Sequence, residues 1–464
     1  MTPTSRRRFL RSAAAVSAAP FILPSKVWAN PPSKKLAHAA IGINGQAASD
    51  IDALMGSGRM EVVAIADVDK RNHAGAKAKF PNAKIYQDWR ELFANESDKF
   101  ESVNVTVPDH MHAIIAMNAL NRKKHVYCQK PLTHTAHEAH ALRAAAKKAG
   151  VVTQMGNQIQ SSSEYRTAVK MVRDGVIGKI KEVHSWCGAQ FRQSARPSQA
   201  DPVPEGLDWN LWLGVAPDRP FNKGIYHPFN WRGWQDFGGG GVADFACHIL
   251  DNPYKALDLA APLSVECVGT EQEWANDAAR RNDSWPEWET FRYEYAGTDF
   301  TSGKTLPVYW YDGLKQQEGG KGKKGNVPPK EAIPGLEGRD VPGSGSAFIG
   351  ESGTLIIVHF GSRPQLLPLA KEREYRALKN PAVPGSPDEH YHSFVKACLG
   401  EGKTTSHFDY AVPLVEAAHL GMIAVRLPGK KLMWDSAALK FPGADDATAL
   451  VHKKYRDGWS VEGI

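Results

Sequence analysis

Between residues 37 and 156 short apolar runs alternate with helical stretches, and no other feature of the chain restricts its fold as strongly. Runs at 39–43, 62–66, 102–107, 125–128 and 151–154 have strand length and composition. The segments 50–55, 71–80, 113–121 and 135–149 between them carry apolar residues at helical spacing. Such alternation predicts an α/β domain with a parallel, doubly wound sheet, because each crossover lays a helix on one face of the sheet. From residue 157 longer strand-like runs at 180–187, 265–270, 306–311 and 354–358 mix with helices and Trp-rich loops, an α+β pattern. Helices are expected again at 390–399 and 410–425. The stretch 316–346, rich in Gly, Lys and Pro and without a period, is expected to be a solvated loop.

The 464 residues, 42% hydrophobic and 23% charged, suffice for two or three packed domains. The formal charge of +7 gives no argument for a nucleic-acid partner. Arg6, Arg7, Arg8, Arg11 and Lys26 precede Ala29 with no acid among them, so a chain processed there keeps about +2. Ser5-Arg-Arg-Arg-Phe-Leu-Arg11, a weakly apolar run to Leu23 and Val27-Trp-Ala29 follow one another as a twin-arginine export signal requires. That apolar run is shorter than the roughly 20 residues that span a bilayer. The expected division is therefore an export signal at 1–29, with a periplasmic or other extracytoplasmic destination, a dinucleotide domain at 36–156 and a substrate domain at 157–464. Five scattered cysteines with no Cys-x-x-Cys pair imply neither a zinc site nor a disulfide framework.

The turn Ile41-Gly-Ile-Asn-Gly-Gln-Ala-Ala-Ser49 follows the first strand and opens a helix, where backbone N–H groups and the positive helix end receive a pyrophosphate. Gly42 fills the first glycine position of the fingerprint, Asn44 replaces the second and Ala47 the third; Gly45 and Gln46 complete the cofactor-binding set. Asp67 ends the second strand 25 residues after Gly42, near the offset at which a carboxylate accepts the ribose diol. It favours NAD, while Lys70 and Arg71 leave NADP open. Thr106-Val-Pro-Asp-His-Met-His112 ends the third run at the ligand edge of the sheet, and Pro108, His112 and Lys130 are expected beside the cofactor. Neither His110 with His112 nor His134, His137 and His140 has the ligand spacing of a metal site, and the last three are expected to be solvated.

Lys130 lies at the end of His125-Val-Tyr-Cys-Gln-Lys-Pro-Leu132, where an ammonium can hydrogen-bond a substrate oxygen and stabilise a developing alkoxide. In the segment 231–251 four glycines open a helix that carries Asp244, His248 and Asp251. Asp244 and His248 share a face, and an imidazole supported by a carboxylate can take a carbinol proton.

With these motifs in order, the chain resembles the Gfo/Idh/MocA family of dinucleotide-dependent oxidoreductases. The Gly42 turn, the Thr106–His112 edge, Gln129-Lys130-Pro131 and the glycine-rich segment carry the resemblance. Trp209-Asn-Leu-Trp-Leu-Gly214, Phe348-Ile-Gly-Glu-Ser-Gly-Thr354 and Tyr455-Arg-Asp-Gly-Trp459 resemble its exported branch. The resemblance implies a Rossmann domain followed by an open, mostly antiparallel or mixed sheet, and a homo-oligomer. It implies that Lys130 orients the substrate hydroxyl, that His248 is the general acid/base and that Asp244 partners His248. Gln129 departs from the family by replacing the usual glutamate. The expected reaction is hydride transfer between NAD(P) and a secondary alcohol of a sugar, polyol or glycoside, with cofactor that stays bound. Redox-neutral glycoside cleavage through a transient ketone is the alternative within the same chemistry, and a non-catalytic dinucleotide or sugar sensor the alternative outside it.

Overall fold

The computed structural model describes residues 34–464 apart from 194, 318, 319, 321, 337, 360–362 and 379–381; the expected export signal lies outside the described residues. Six strands, β1 (Leu36–Ile41), β2 (Met60–Ala66), β3 (Lys84–Tyr86), β4 (Ser102–Val105), β5 (His125–Gln129) and β6 (Thr153–Gly156), form one sheet in the order β3-β2-β1-β4-β5-β6. Every pairing is parallel. The order reverses between β1 and β4, so the crevice at their carboxyl ends is the place where this topology receives a ligand. The sheet is buried on both faces, which is why its strands read as continuous runs of Ala, Val and Ile. The short helix Trp89–Glu96 and the three-residue β3 escaped the sequence pattern because neither has a full apolar period.

Seven helices frame the site: α1 (Gln46–Met55), α2 (Ala136–Ala149), α3 (Ser163–Arg173), α4 (Gly240–Ile249), α5 (Asp251–Leu257), α6 (Pro387–Cys398) and α7 (Phe408–Ala424). α1 buries Ala47, Asp50, Ile51 and Leu54, one face at helical spacing. α2 starts with a capping box in which the Thr135 hydroxyl accepts the Glu138 N–H and the Glu138 carboxylate accepts the Thr135 N–H, and it stops at left-handed Gly150.

The second sheet holds nine strands: β7 (Ile180–Cys187), β8 (Ser264–Thr270), β9 (Trp288–Ala296), β10 (Thr305–Gln316), β11 (Lys323–Gly325), β12 (Ser344–Gly350), β13 (Thr354–Val358), β14 (Gln365–Leu367) and β15 (Lys431–Met433). They run β14-β13-β12-β7-β10-β9-β8-β15, with β11 paired to β10. Only β7 with β10 is parallel. The expected open, mostly antiparallel mixed sheet is thus present. The stretch 316–346 departs from the expected solvated loop. Ile333 and Leu336 pack on Trp186 and Tyr311, and Asn326 Nδ2 donates to the carbonyls of Glu289 and Asp312 at 2.8 and 3.1 Å. Its apolar anchors are single residues between glycines and lysines, so no period announces them.

The chain returns to its first domain near its end. Tyr391, Phe394 and Val395 of α6 share a core with Leu36, Ala40 and Ile51, and Tyr391 stacks on Tyr127 with ring centroids 5.6 Å apart. α7 is buried on nearly all sides between α2, α4 and β8, which accounts for its almost wholly apolar sequence. Because Phe394 is fully buried in the first domain's core, Phe394→Ala is expected to lower the free energy of unfolding by about 3–5 kcal/mol, read from urea denaturation. An unchanged midpoint would mean that α6 contributes nothing to that core.

Candidate active site

A cleft of about 1380 Å³ runs along the carboxyl ends of β1, β2, β4 and β5. It exceeds the roughly 300–1,000 Å³ of ordinary small-molecule sites and so has room for a dinucleotide. Its floor is the turn after β1. Gly42 adopts φ +86°, and a Cβ there would stand 2.2 Å from the Thr106 carbonyl oxygen, so no larger residue fits. The second left-handed position is Gly45, at φ +57°, which caps α1 with no side chain competing for the helix's first N–H groups. Asn44 folds back along the turn: its Oδ1 accepts Gly45 N–H at 2.8 Å and its Nδ2 donates to Asn72 at 3.3 Å. The backbone freedom expected from a glycine at 44 is therefore supplied one residue later. Gln46 and Ala47 line the cleft beside it, as do Asp67 and Pro108.

Asp67 closes the turn from below, with Oδ2 accepting Ile43 N–H at 3.2 Å and Oδ1 accepting Asp69 N–H at 2.9 Å. Burial raises its pKa against these bonds. Arg71 also lines the cleft and is paired with Asp69, Nε–Oδ1 at 2.7 Å. Residues present on the floor and wall thus fit NAD. The opposite wall comes from the second domain, through Pro202, Leu211, Trp212, Phe221, His227 and Arg232.

At the far end of the cleft Lys130 Nζ donates to Asp244 Oδ1 at 2.7 Å and to the Asp244 carbonyl at 2.8 Å, across the domain boundary. Arg232 Nε donates to the same Oδ1 at 3.2 Å. Burial pushes the Asp244 carboxyl up, but Lys130 and Arg232 outweigh it and hold the group ionised, below its ordinary value. Lys130 and Asp244 are thus brought together at the end of the cleft, and the partner of Asp244 is Lys130, not His248; His248 does not line the cleft but a separate cavity of about 330 Å³. One helical turn separates the two side chains on α4, yet two cations approach Asp244 and capture it. His248 instead lies against His359, ring centroids 5.5 Å apart, with Nδ1 buried and without a hydrogen-bond partner. Burial first, then the charge of Lys130 and the neighbouring His359, keeps His248 neutral by lowering its pKa.

Other expected residues fall elsewhere. His112 does not line the cleft; its ring sits behind the strand ends, 2.7 Å from the Pro131 carbonyl and 2.8 Å from that of Val107. His134 is buried rather than solvated, with Lys453 Nζ 3.1 Å from its Nδ1, and His140 approaches Glu416 at 3.3 Å. The C-terminal tail and α7 cover that helix face, which sequence spacing could not reveal. Asp251 binds the side chains of Asn157 and Gln160 and the Tyr410 hydroxyl, a structural carboxylate one turn beyond His248. Among the described residues no group of three or more His, Cys, Asp or Glu side chains is arranged to hold a metal.

Sequence reasoning missed Asp50. It is fully buried and accepts hydrogen bonds from Gln46 at 2.9 Å, Thr106 at 2.9 Å, Gln129 at 2.9–3.0 Å and Tyr391 at 3.1 Å. The amide of Gln129 touches both Asp50 oxygens while its Oε1 accepts Lys130 N–H at 3.0 Å. A glutamate at 129 would set two buried carboxylates against each other, so Asp50 explains the glutamine that departs from the family. Only the lone polar residue on the inner face of α1 hinted at this.

Two profiles of one oxidoreductase family match the chain, its NAD-binding Rossmann fold over residues 36–157 and its C-terminal alpha/beta domain over residues 161–299. Levoglucosan dehydrogenase from Pseudarthrobacter phenanthrenivorans is 26% identical over 188 residues, 40% of either chain. Inositol 2-dehydrogenase from Salmonella typhimurium is 32% identical over 145 residues, 31% of this chain and 42% of that protein. The chain thus aligns with less than half the length of these relatives. Among solved structures, the WlbA dehydrogenase from Bordetella pertussis in complex with NADH and UDP-GlcNAcA shares the fold, with a TM-score of 0.59 and 14% identity over 87% of this chain and 99% of that one. Aldose-aldose oxidoreductase from Caulobacter crescentus does so with a TM-score of 0.53 and 16% identity over 86% and 100%. Profile matches to both domains, on a fold with this strand order and this glycine turn, place the chain in the Gfo/Idh/MocA family of oxidoreductases, with an NAD-binding Rossmann domain at its N-terminal end.

Proposed function

We propose that this protein is an NAD-dependent oxidoreductase acting on a secondary alcohol of a sugar, polyol or glycoside, with cofactor retained between turnovers. The observation that carries the proposal is Lys130. An ammonium has three N–H donors, and two are spent on Asp244, which leaves one at the end of the cofactor cleft for a substrate oxygen. NAD, when bound along β1 and α1, supplies the hydride acceptor. The remaining N–H of Lys130 holds the carbinol oxygen and stabilises the charge that develops on it. His248, neutral and with Nδ1 unpartnered, accepts the hydroxyl proton. Levoglucosan and inositol dehydrogenases among the relatives support the alcohol class. The paired arginines, weak apolar run and Val27-Trp-Ala29 support export by the twin-arginine route, and a retained cofactor suits an enzyme working where free NAD is scarce.

A second reading, redox-neutral glycoside cleavage, is favoured by one observation. Phe245, Phe191 and Phe229 form a chain of ring contacts from beside Lys130 to the surface, where Phe229 is 57% exposed. Such a track suits an apolar aglycone. Product analysis separates the two, since only cleavage releases aglycone with no net change in NAD.

Denaturing the purified protein is expected to release one equivalent of NAD(H), and Gly42→Val to release none. A wild type that is empty and also fails to bind added NAD overturns the cofactor assignment. Lys130→Ala is expected to keep its NAD while losing about 10²–10³-fold in kcat on its alcohol substrate, as removal of a charge-stabilising donor does.

Asp109 lines the cleft, almost wholly buried, near this pair. Burial, opposed by Arg232 and Lys130 and reinforced by Asp244, pushes its carboxyl up to about 7. The folded protein therefore holds this proton more tightly than the unfolded chain does, and the wild type loses stability as pH rises from about 4 to about 7. Asp109→Asn lacks that loss. Its stability minus that of the wild type should climb across this window and level off above it, which thermal unfolding at several pH values will read; a difference that stays flat or falls as pH rises contradicts the assignment.

A further inference from the structure

Two motifs far apart in the chain, Trp209–Gly214 and Tyr455–Trp459, take no part in the chemistry above, yet they meet in the structure. Arg456 donates from Nε to the Gly214 carbonyl at 3.0 Å and from Nη2 to that of Asn210 at 2.9 Å, its backbone N–H donates to the Val215 carbonyl at 3.0 Å, and Nη1 pairs with Asp218. The tail that carries Arg456 is seated on the first domain. Lys453 Nζ lies 3.1 Å from Glu138 Oε1, the Tyr455 hydroxyl donates to the same oxygen at 2.7 Å, and buried Trp459 has the Arg90 guanidinium 4.5 Å from its ring centroid and that of Arg456 at 5.7 Å. The segment that Arg456 holds belongs to the second domain, where Trp212 packs with Tyr226 and Phe237. Through Pro202, Pro204, Leu211 and Trp212 it forms part of the outer wall of the cofactor cleft. A second fastening lies at the Asp67 end. Lys70 N–H donates to the Gly206 carbonyl and Asp208 N–H to that of Val68, each at 2.9 Å, and His110 Nε2 lies 3.1 Å from the Trp212 carbonyl between the two fastenings.

We propose that Arg456 is a positioning residue that clasps this wall to the first domain, and that exchange of NAD waits on the opening of the clasp. This rests on the proposed function, whose retained cofactor it explains. A dinucleotide lying along β1 and α1 has the first domain beneath it and the 202–216 wall over it, so it leaves when the two part, and parting breaks the bonds of Arg456 to three carbonyls. The forked guanidinium suits that task, because it reaches two carbonyls at once at the negative end of the helix Trp209–Leu213. Gly214, at φ +52°, lets the wall close: a Cβ there would stand 1.9 Å from Met111 Sδ. Arg456 itself does not line the cleft. Its loss therefore eases opening in the loaded and the empty protein alike, and speeds entry and exit together, whereas loss of a direct cofactor contact speeds exit alone.

The test is NADH exchange in the full chain, read by fluorescence in stopped flow: release by chasing loaded protein with excess NAD, entry by mixing NADH with protein freed of nucleotide. Arg456→Met, which keeps the stem beside Trp459 and removes the side-chain donors, is expected to raise release and entry together by about tenfold, the size of one or two lost hydrogen bonds, with Kd kept within about threefold. Arg456→Lys, which keeps the charge but not the fork, is expected to fall between wild type and Arg456→Met. Gly206→Ala strains the second fastening at φ +90° and is expected to act in the same direction, so it reads the clasp even if Arg456→Met does not fold. Unchanged release in the variants, or faster release with unchanged entry and a Kd weakened in proportion, overturns the role of Arg456. A wild type that exchanges NADH faster than it turns over, with both rates still raised in the variants, removes the retained cofactor alone. A wild type and variants that hold NADH equally long remove the clasp alone, and a wild type that binds no NADH removes both.

Discussion

The contact between Lys130 and Asp244 joins the two domains at the point where chemistry is expected, and the rest of the site is arranged around it. Both side chains are mostly buried. Such a pair adds little net stability over an apolar substitute, because desolvation consumes the attraction, but loss of one partner strands a charge and costs roughly 3–5 kcal/mol. The pair is therefore a device of position. It sets α4 against the end of β5, draws in Arg232, and directs a lysine that would otherwise be a mobile surface cation. With Asp244 engaged in this way, His248 is left free of a carboxylate and remains a neutral ring, the form that can take up a proton.

Asp50 plays the corresponding part beneath the cofactor turn. A carboxyl group removed from water must be compensated by hydrogen bonds, and here α1, the residues after β4, the end of β5 and α6 all supply donors, Gln129 to both oxygens. The consequence is a single polar node that fixes the start of the phosphate-facing helix relative to Lys130. The node also passes a requirement along the chain, since Asp50 needs donors on every side and position 129 must then carry an amide. The two nodes, around Asp50 and around Asp244, are thus linked through the adjacent residues Gln129 and Lys130.

Much of this was legible along the chain. The six-strand sheet follows from the spacing of apolar runs, the turn from Gly42, and the dinucleotide edge from Asp67, because each depends on residues that are neighbours in sequence. Lys130, Asp244 and His248 were recognisable as a set. Their pairing was not. The spacing of Asp244 and His248 argued for a carboxylate supporting an imidazole, and that inference fails because it weighs one helix in isolation, without the two cations that approach from β5 and from the loop before α4. His112, His134 and Asp50 were misjudged or missed for the same reason: burial of a polar side chain is decided by what covers it, and here the cover comes from Pro131, from Lys453 and from Tyr391.

By itself the sequence determined the local geometry: a parallel sheet, a glycine turn that only glycine can make, a capped helix, a lysine at a strand end. These are set by steric limits on single residues and by the periodicity of neighbouring ones, and they need no knowledge of the rest of the chain. The tertiary structure alone decided which charges meet, which histidines stay neutral and where a second imidazole stands opposite His248. Electrostatic energies depend on distance and burial, and both are fixed only when segments far apart in the chain, such as β5, α4, α6 and the end of β13, are packed together.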